Sequence, residues 1–156
     1  MSFFANQSEI QNPADATIQS SHFWPAIHLE KLREVMRLDG NVTAPRLEHA
    51  AINAVAAVNQ ELRAWRQERE AEGYDTLADV PAEQINDEST YLQWYARAVY
   101  CFSRANLIER MRDYDTTKAG ADSTDPLEQT VIALRRDARF AIRDILGVTH
   151  STVALL

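Results

Sequence analysis

The chain has 156 residues, 46% of them hydrophobic and 25% charged, enough for one domain with its own core. Its formal net charge of −7 works against general binding to nucleic acid or anionic membranes, because like charges repel. A single cysteine, Cys101, excludes an internal disulfide and leaves too few thiolates for a cysteine zinc site.

Residues 1–22 hold no Lys or Arg and two acids, Glu9 and Asp15, among many Asn, Gln, Ser and Thr. That composition reads as a flexible N-terminal arm. The opening "MSFFANQSEIQ" has neither the basic nor the long apolar region of a secretory leader, and no run reaches the roughly 18 apolar residues of a membrane span. The arm ends in "HFWP", where Phe23 and Trp24 form an apolar anchor before Pro25. A short helix is expected from about His28 to Arg37, with Leu29, Leu32 and Met36 on one face and "LDGN" breaking it at Gly40 and Asn41. A second starts at Thr43 as N-cap, with Pro45 in the first turn, where its missing N–H costs nothing. Its stripe is Leu47, Ala50, Ala51, Ala54, Val55, Val58, Leu62 and Trp65, and the polar "RQEREAEG" carries it to Gly73, a C′ residue.

The long connection "YDTLADVPAEQINDES" has Leu77, Val80 and Ile85 to pin it onto the core. The third helix, about Glu88 to Tyr114, is apolar around most of its circumference, so it is expected to be central. After the polar loop "YDTTKAGADSTD", Thr124 or Asp125 caps a fourth helix with Pro126 at N1 and Gly147 at its end. No segment has a strand pattern, and there is no internal repeat. The expected fold is all-α: a small bundle of about four helices around a central hydrophobic one. It comprises an arm over 1–22, a helical domain over 23–147 and an extended tail over 148–156. The expected core includes Leu47, Val55, Val58, Leu62, Trp65, Tyr91, Trp94, Phe102, Val131, Leu134, Ile142 and Ile145.

Chemistry is sparse. The histidines His22, His28, His49 and His150 have no metal-ligand spacing, and no Gly-rich phosphate loop exists. No metal, no cofactor and no catalytic residue is expected. Cys101 reads as a small core residue rather than a nucleophile. Glu109 is either an acid in a pocket or a partner of an arginine such as Arg112. In "LRRDARFAIRD", Arg135, Arg136, Arg139 and Arg143 fall within an arc of roughly 100° on the helix. Three readings stand: contacts to DNA phosphates, a solvated face, or a protein–protein contact. Phe140, off the apolar stripe, favours the last. The tail "VTHSTVALL" carries no Lys, Arg, Asp or Glu. Val148, Thr149, Thr152, Val153, Leu155 and Leu156 suit docking onto a partner's sheet edge or into an apolar groove.

Four stretches carry a family resemblance: "MRLDGNVTAPRLEHAAINAV", "GYDTLADVPAEQINDES", "RAVYCFSRANLIERMRDYD" and "DSTDPLEQTVIALRRDARFAIRDILG". In order and spacing, from about Phe23 to Gly147, they resemble the head completion protein family (gene product L) of P2-like tailed bacteriophages. The two ends look different from relatives. The resemblance implies a structural virion protein of connector, or head–tail adaptor, type, made in the host bacterial cytoplasm and located at the head–tail junction. Its implied partners are the portal ring, copies of itself in a twelvefold ring, a neck or tail-terminator protein, and packaged duplex DNA passing without sequence-specific contact. No membrane is involved. The tail is then the portal-binding segment, and Arg135, Arg136, Arg139, Phe140 and Arg143 are candidates for the contact between subunits. The rival reading is a small helical DNA-binding or packaging accessory protein acting through those arginines.

Overall fold

Apolar residues at helical spacing produce five helices in this computed structural model, which describes residues 15–115 and 126–150. In chain order, β1 (Thr17–Ile18) pairs antiparallel with β2 (Ile27–His28), and α1 (Leu29–Val35) follows directly. Then come α2 (Ala44–Glu61), α3 (Arg63–Ala71), a single 3₁₀ turn at Leu77–Asp79, the antiparallel pair β3 (Gln84–Ile85) and β4 (Glu88–Ser89), α4 (Thr90–Asp115) and α5 (Pro126–Leu146). The protein is mostly helical, as expected, and the two tiny strand pairs are additions that no alternation of side chains announced.

Helix α4 packs against both α2 and α5. Small residues let the backbones approach closely: Ala50, Ala51 and Ala54 on α2, Ala98 and Ala105 on α4, and Ala138 and Ala141 on α5 are all buried. Tyr95, Val99 and Phe102 fill the space between them. Ser103 is also fully buried, and its hydroxyl donates to the Val99 carbonyl at 2.7 Å, so the polar group is satisfied within its own helix. Ten of the twelve expected core residues are buried. Tyr91 and Trp94 are half-buried instead, because the first turns of α4 lie at the rim of the core.

Four local details differ from expectation. The second helix bends at Leu62 (φ −95°, ψ 4°), dividing it into α2 and α3. The hydrogen-bond ladder continues through the bend, with Leu62 N–H donating to Val58 and Arg66 N–H to Leu62, so Trp65 stays on the buried side. Thr43 is extended, as an N-cap should be, but its side chain makes no capping bond. Helix α1 ends before Gly40: Arg37 takes the left-handed conformation (φ 51°), and Leu38 N–H reaches back to the Arg33 carbonyl at 3.0 Å. The Arg33 guanidinium then donates to the Val42 carbonyl at 2.8 Å and holds the turn into α2. In the long connection, Thr76 and Asp79 form a reciprocal capping box, and Leu77 and Val80 are buried. Ile85 does not pin the segment. It is 59% exposed beside Asn86 and Asp87, whose positive φ angles (54° and 60°) close a two-residue hairpin.

The largest difference lies at the start. Residues 15–22, expected within a flexible arm, pack onto the helices. Leu29 N–H donates to the Ala16 carbonyl, Asn59 of α2 donates to the Ser20 hydroxyl at 3.1 Å, and Arg66 donates to the Ser21 hydroxyl at 3.1 Å. This segment delivers Phe23 and Trp24 into the core. Trp24 stacks on Tyr95 (centroids 4.8 Å apart, planes at 7°) and meets Phe23 edge-on, while Phe23 contacts Trp65. Tyr91 and Trp94 continue the aromatic seam outward, and the Arg69 guanidinium lies over the Trp65 ring at 5.4 Å. Residues 1–14 lie outside the described residues.

Candidate interaction surfaces

The buried stripe of α5 (Val131, Leu134, Ala138, Ala141, Ile142, Ile145) leaves the opposite side to solvent. That outer side carries Arg136, Arg139 and Arg143, together with Ile132, which is 55% exposed. Acidic side chains stand beside two of these arginines: Arg139 is 3.5 Å from Glu61 at the end of α2, and Arg136 is 3.6 Å from Asp137. Such surface pairs are worth about 0–1 kcal/mol, but they lower the local positive field. Arg135 points elsewhere. It binds Glu109 through two nitrogens and reaches Asn106 at 3.4 Å, tying α5 to α4. Arg135 is thus an internal tie rather than part of the outward face. The same pair decides Glu109: its partner is Arg135, 26 residues on, while Arg112 bridges to Glu128 at 3.7 Å.

At the end of α5, Gly147 takes a left-handed conformation (φ 71°), which a glycine adopts without steric cost. Gly147 N–H donates to the Asp144 carbonyl and Val148 N–H to the Arg143 carbonyl, which completes a Schellman turn. The turn sends the chain back over the helix. The His150 ring lies flat on Phe140 (centroids 4.4 Å apart, planes at 8°), and its Nε2 is 2.7 Å from an Asp144 carboxylate oxygen. Phe140, off the stripe as the spacing implied, is half-buried beneath that ring. Val148 and Thr149 are exposed; Thr152, Val153, Leu155 and Leu156 lie outside the described residues. Nothing in the sequence flagged His150, because its partners depend on the turn at Gly147.

No constellation for catalysis assembles among the described residues. Burial pushes the Cys101 thiol up, Asp137 adds to that shift, and Arg97 and Arg104 offset it only in part. Its thiolate is disfavoured, as in an inert core cysteine. Burial raises the Tyr95 phenol strongly, against the lowering effect of its hydrogen bonds with Ser20 and Asn59. Its hydroxyl donates to Asn59 Oδ1 at 2.7 Å and serves packing. No group of three His, Cys, Asp or Glu side chains among the described residues is placed to hold a metal ion. No helix there is long and apolar enough to cross a membrane.

What remains is a helical scaffold with an outward cationic and aliphatic face and a guided tail. Comparison with known proteins gives the family. The family model described as phage head completion protein (GPL) matches residues 18–156. The head completion/stabilization protein of Escherichia phage P2 is 37% identical over 147 residues, covering 93% of this chain and 87% of that relative. The probable head completion/stabilization protein of Haemophilus phage HP1 (strain HP1c1) is 21% identical over 146 residues, covering 94% and 96%. No solved structure matches. A family model spanning nearly the whole chain, and a relative this similar along it, establish that this chain belongs to the phage head completion protein (GPL) family.

Proposed function

We propose that the protein is a non-enzymatic subunit of the phage head–tail junction, a small helical bundle of connector type. In this reading it binds beneath the portal ring after DNA packaging, in a ring that follows the portal's twelvefold symmetry. There it helps retain the genome and offers a docking surface to neck or tail proteins. The observation that carries the reading beyond family membership is the exit from α5. The Schellman turn and the His150–Phe140 stack hold residues 147–150 at the helix end, directly before the uncharged apolar tail. Burial of Val153, Leu155 and Leu156 in a partner would contribute about 1.5–3 kcal/mol each before the cost of ordering them. In a ring, modest contacts add through avidity. The outer face of α5 (Arg136, Arg139, Arg143 and exposed Ile132) supplies the lateral contact between copies.

The DNA-binding alternative draws less support, because Arg135 and Arg139 already face Glu109 and Glu61. It requires salt-dependent binding of free duplex, so a gel shift at low salt tests it directly. The deciding experiment for the proposal is co-sedimentation with the cognate portal ring, comparing the full chain with one truncated after His150. Binding by the full chain and loss in the truncation is the expected result. Equal binding by both would move the contact to the helices, and binding by neither would overturn the connector reading. Charge reversal of Arg139 and Arg143 should leave the monomer folded and weaken ring assembly; unchanged assembly would remove that face as the lateral contact.

A further inference from the structure

The β3–β4 hairpin presents an apolar side chain that nothing covers among the described residues. Asn86 and Asp87, both at positive φ, fix a tight turn, so neighbours along each strand alternate between two faces and cross-strand partners share one. Ser89, opposite Gln84, is buried. Ile85, opposite Glu88, lies on the other face and is 59% exposed, more than any other large apolar side chain among the described residues. The hairpin also sits where the chain concentrates its charge. Residues 67–88 hold eight of the 23 acids and one of the 16 basic residues, Arg69. That stretch alone carries −7, the net charge of the whole chain, so the remainder is balanced. Folding keeps the stretch together, because Trp65 meets Tyr91 and so sets α3 beside the first turn of α4, into which the hairpin runs directly. Glu68, Glu70, Glu72, Asp75, Glu83 and Asp87 are exposed.

The outer face of α5 is the complement. Ile132 is 55% exposed there, and Arg136, Arg139 and Arg143 follow it at i+4, i+7 and i+11 on one side of the helix. One patch is an exposed isoleucine among carboxylates, the other an exposed isoleucine beside guanidinium groups. Neither suits its own like. Two copies meeting α5 to α5, or hairpin to hairpin, across a twofold axis would set like charges together. A contact between the unlike patches joins opposite charges and covers both isoleucines. We infer that the outward face of the hairpin in one copy docks on the outer face of α5 in the next, with Ile85 against Ile132 and the acidic rim against Arg136, Arg139 and Arg143. The inference rests on the reading of α5 as the contact between copies and names the surface that receives it. Arg139 can exchange Glu61 for an acid of the neighbour at little cost, because an exposed pair is weak. The contact is head-to-tail, the kind that closes into a ring when the rotation per copy allows.

The test uses the full chain, free in solution and on the cognate portal ring. A copy carrying Ile85→Cys is mixed in equal amount with a copy carrying Ile132→Cys and oxidised in glutathione buffer, and the cross-linked pairs are read by non-reducing peptide mass spectrometry. Unlike 85–132 pairs should exceed the two like pairs together by about tenfold or more, where random encounter gives equality. Glu83→Lys with Asp87→Asn, which keeps a residue tolerant of positive φ in the turn, should reduce that excess about tenfold, as should Arg139→Glu with Arg143→Glu. Both sets placed in every copy should restore it to within about threefold. Random proportions, a predominance of 132–132 pairs, no cross-linking in either setting, or no restoration by the combined sets would overturn the inference. Loss on the α5 reversal without loss on the hairpin reversal would keep α5 as the contact between copies and overturn only the hairpin as its partner. No change on either reversal would remove both.

Discussion

The described chain is anchored very differently where it begins and where it stops. Residues 16–24 pair with β2 through β1, take side-chain bonds from Asn59 and Arg66, and place Phe23 and Trp24 at 2% and 1% exposure. Residues 148–150 are exposed, and a backbone turn, a ring stack and a carboxylate contact are among their ties. Composition alone reads the first as the end of a polar flexible arm with an apolar anchor and the second as the start of an uncharged docking tail. The contrast teaches that the incoming segment is part of the fold, so its loss is a stability defect. In the proposed function the outgoing one presents the tail, and its loss should then be felt only in binding.

The largest expected effect breaks the first half of that contrast. Trp24→Ala removes a ring stacked on Tyr95 and packed against Phe23, and should lower unfolding free energy by about 3–5 kcal/mol in urea denaturation. A loss under about 1 kcal/mol would make the segment a mere cover and collapse the comparison. Asn59→Ala is next, at about 1–3 kcal/mol, because it strips the buried Tyr95 hydroxyl of its acceptor and Ser20 of its donor. The same site gives a pH signature. The raised Tyr95 pKa means the folded state keeps its proton after the unfolded state has lost it. That stability is therefore complete below the ordinary value of 10.0 and is lost as pH rises above it. Between pH 9 and 11, the wild-type stability should fall more steeply than that of Tyr95→Phe.

The helices were legible because their apolar stripes, Pro45, Pro126 and the terminal glycines Gly73 and Gly147 are local signals. What was missed has partners far away in sequence or below the length of a pattern. Ser20 and Ser21 read as linker residues, and only folding brings Asn59 and Arg66, 39 and 45 residues away, to their hydroxyls. Arg135 shared a helical arc with Arg139 and Arg143, yet its length and position on the flank let it reach Glu109. Two-residue strands show no alternation, although "IND" between Gln84 and Glu88 carried the turn chemistry of a tight hairpin. Arg37 is the sharpest case. A left-handed helix stop normally advertises itself with glycine, and here a long side chain occupies it. Arg37→Gly should accordingly stabilise the fold by up to about 1 kcal/mol, read as a raised urea midpoint.

The smallest stability effect sharpens the second half of the contrast. His150→Ala removes a stack on Phe140 and a contact to Asp144, both at an exposed helix end. The unfolding free energy should stay within about 0.5 kcal/mol of wild type. Binding should respond differently. Without the ring on Phe140, residue 150 is no longer fixed in advance, and a partner that captures the tail must order it itself. At about 1 kcal/mol or more of conformational entropy per residue, the loss of even one pre-ordered residue weakens tail capture about fivefold or more. Urea denaturation and portal co-sedimentation on the same variant separate the two quantities. A variant of unchanged stability and weakened capture places His150 as the residue that aims the tail. Equal capture would mean that the turn at Gly147 alone sets the direction, with the stack a consequence of where the chain already points.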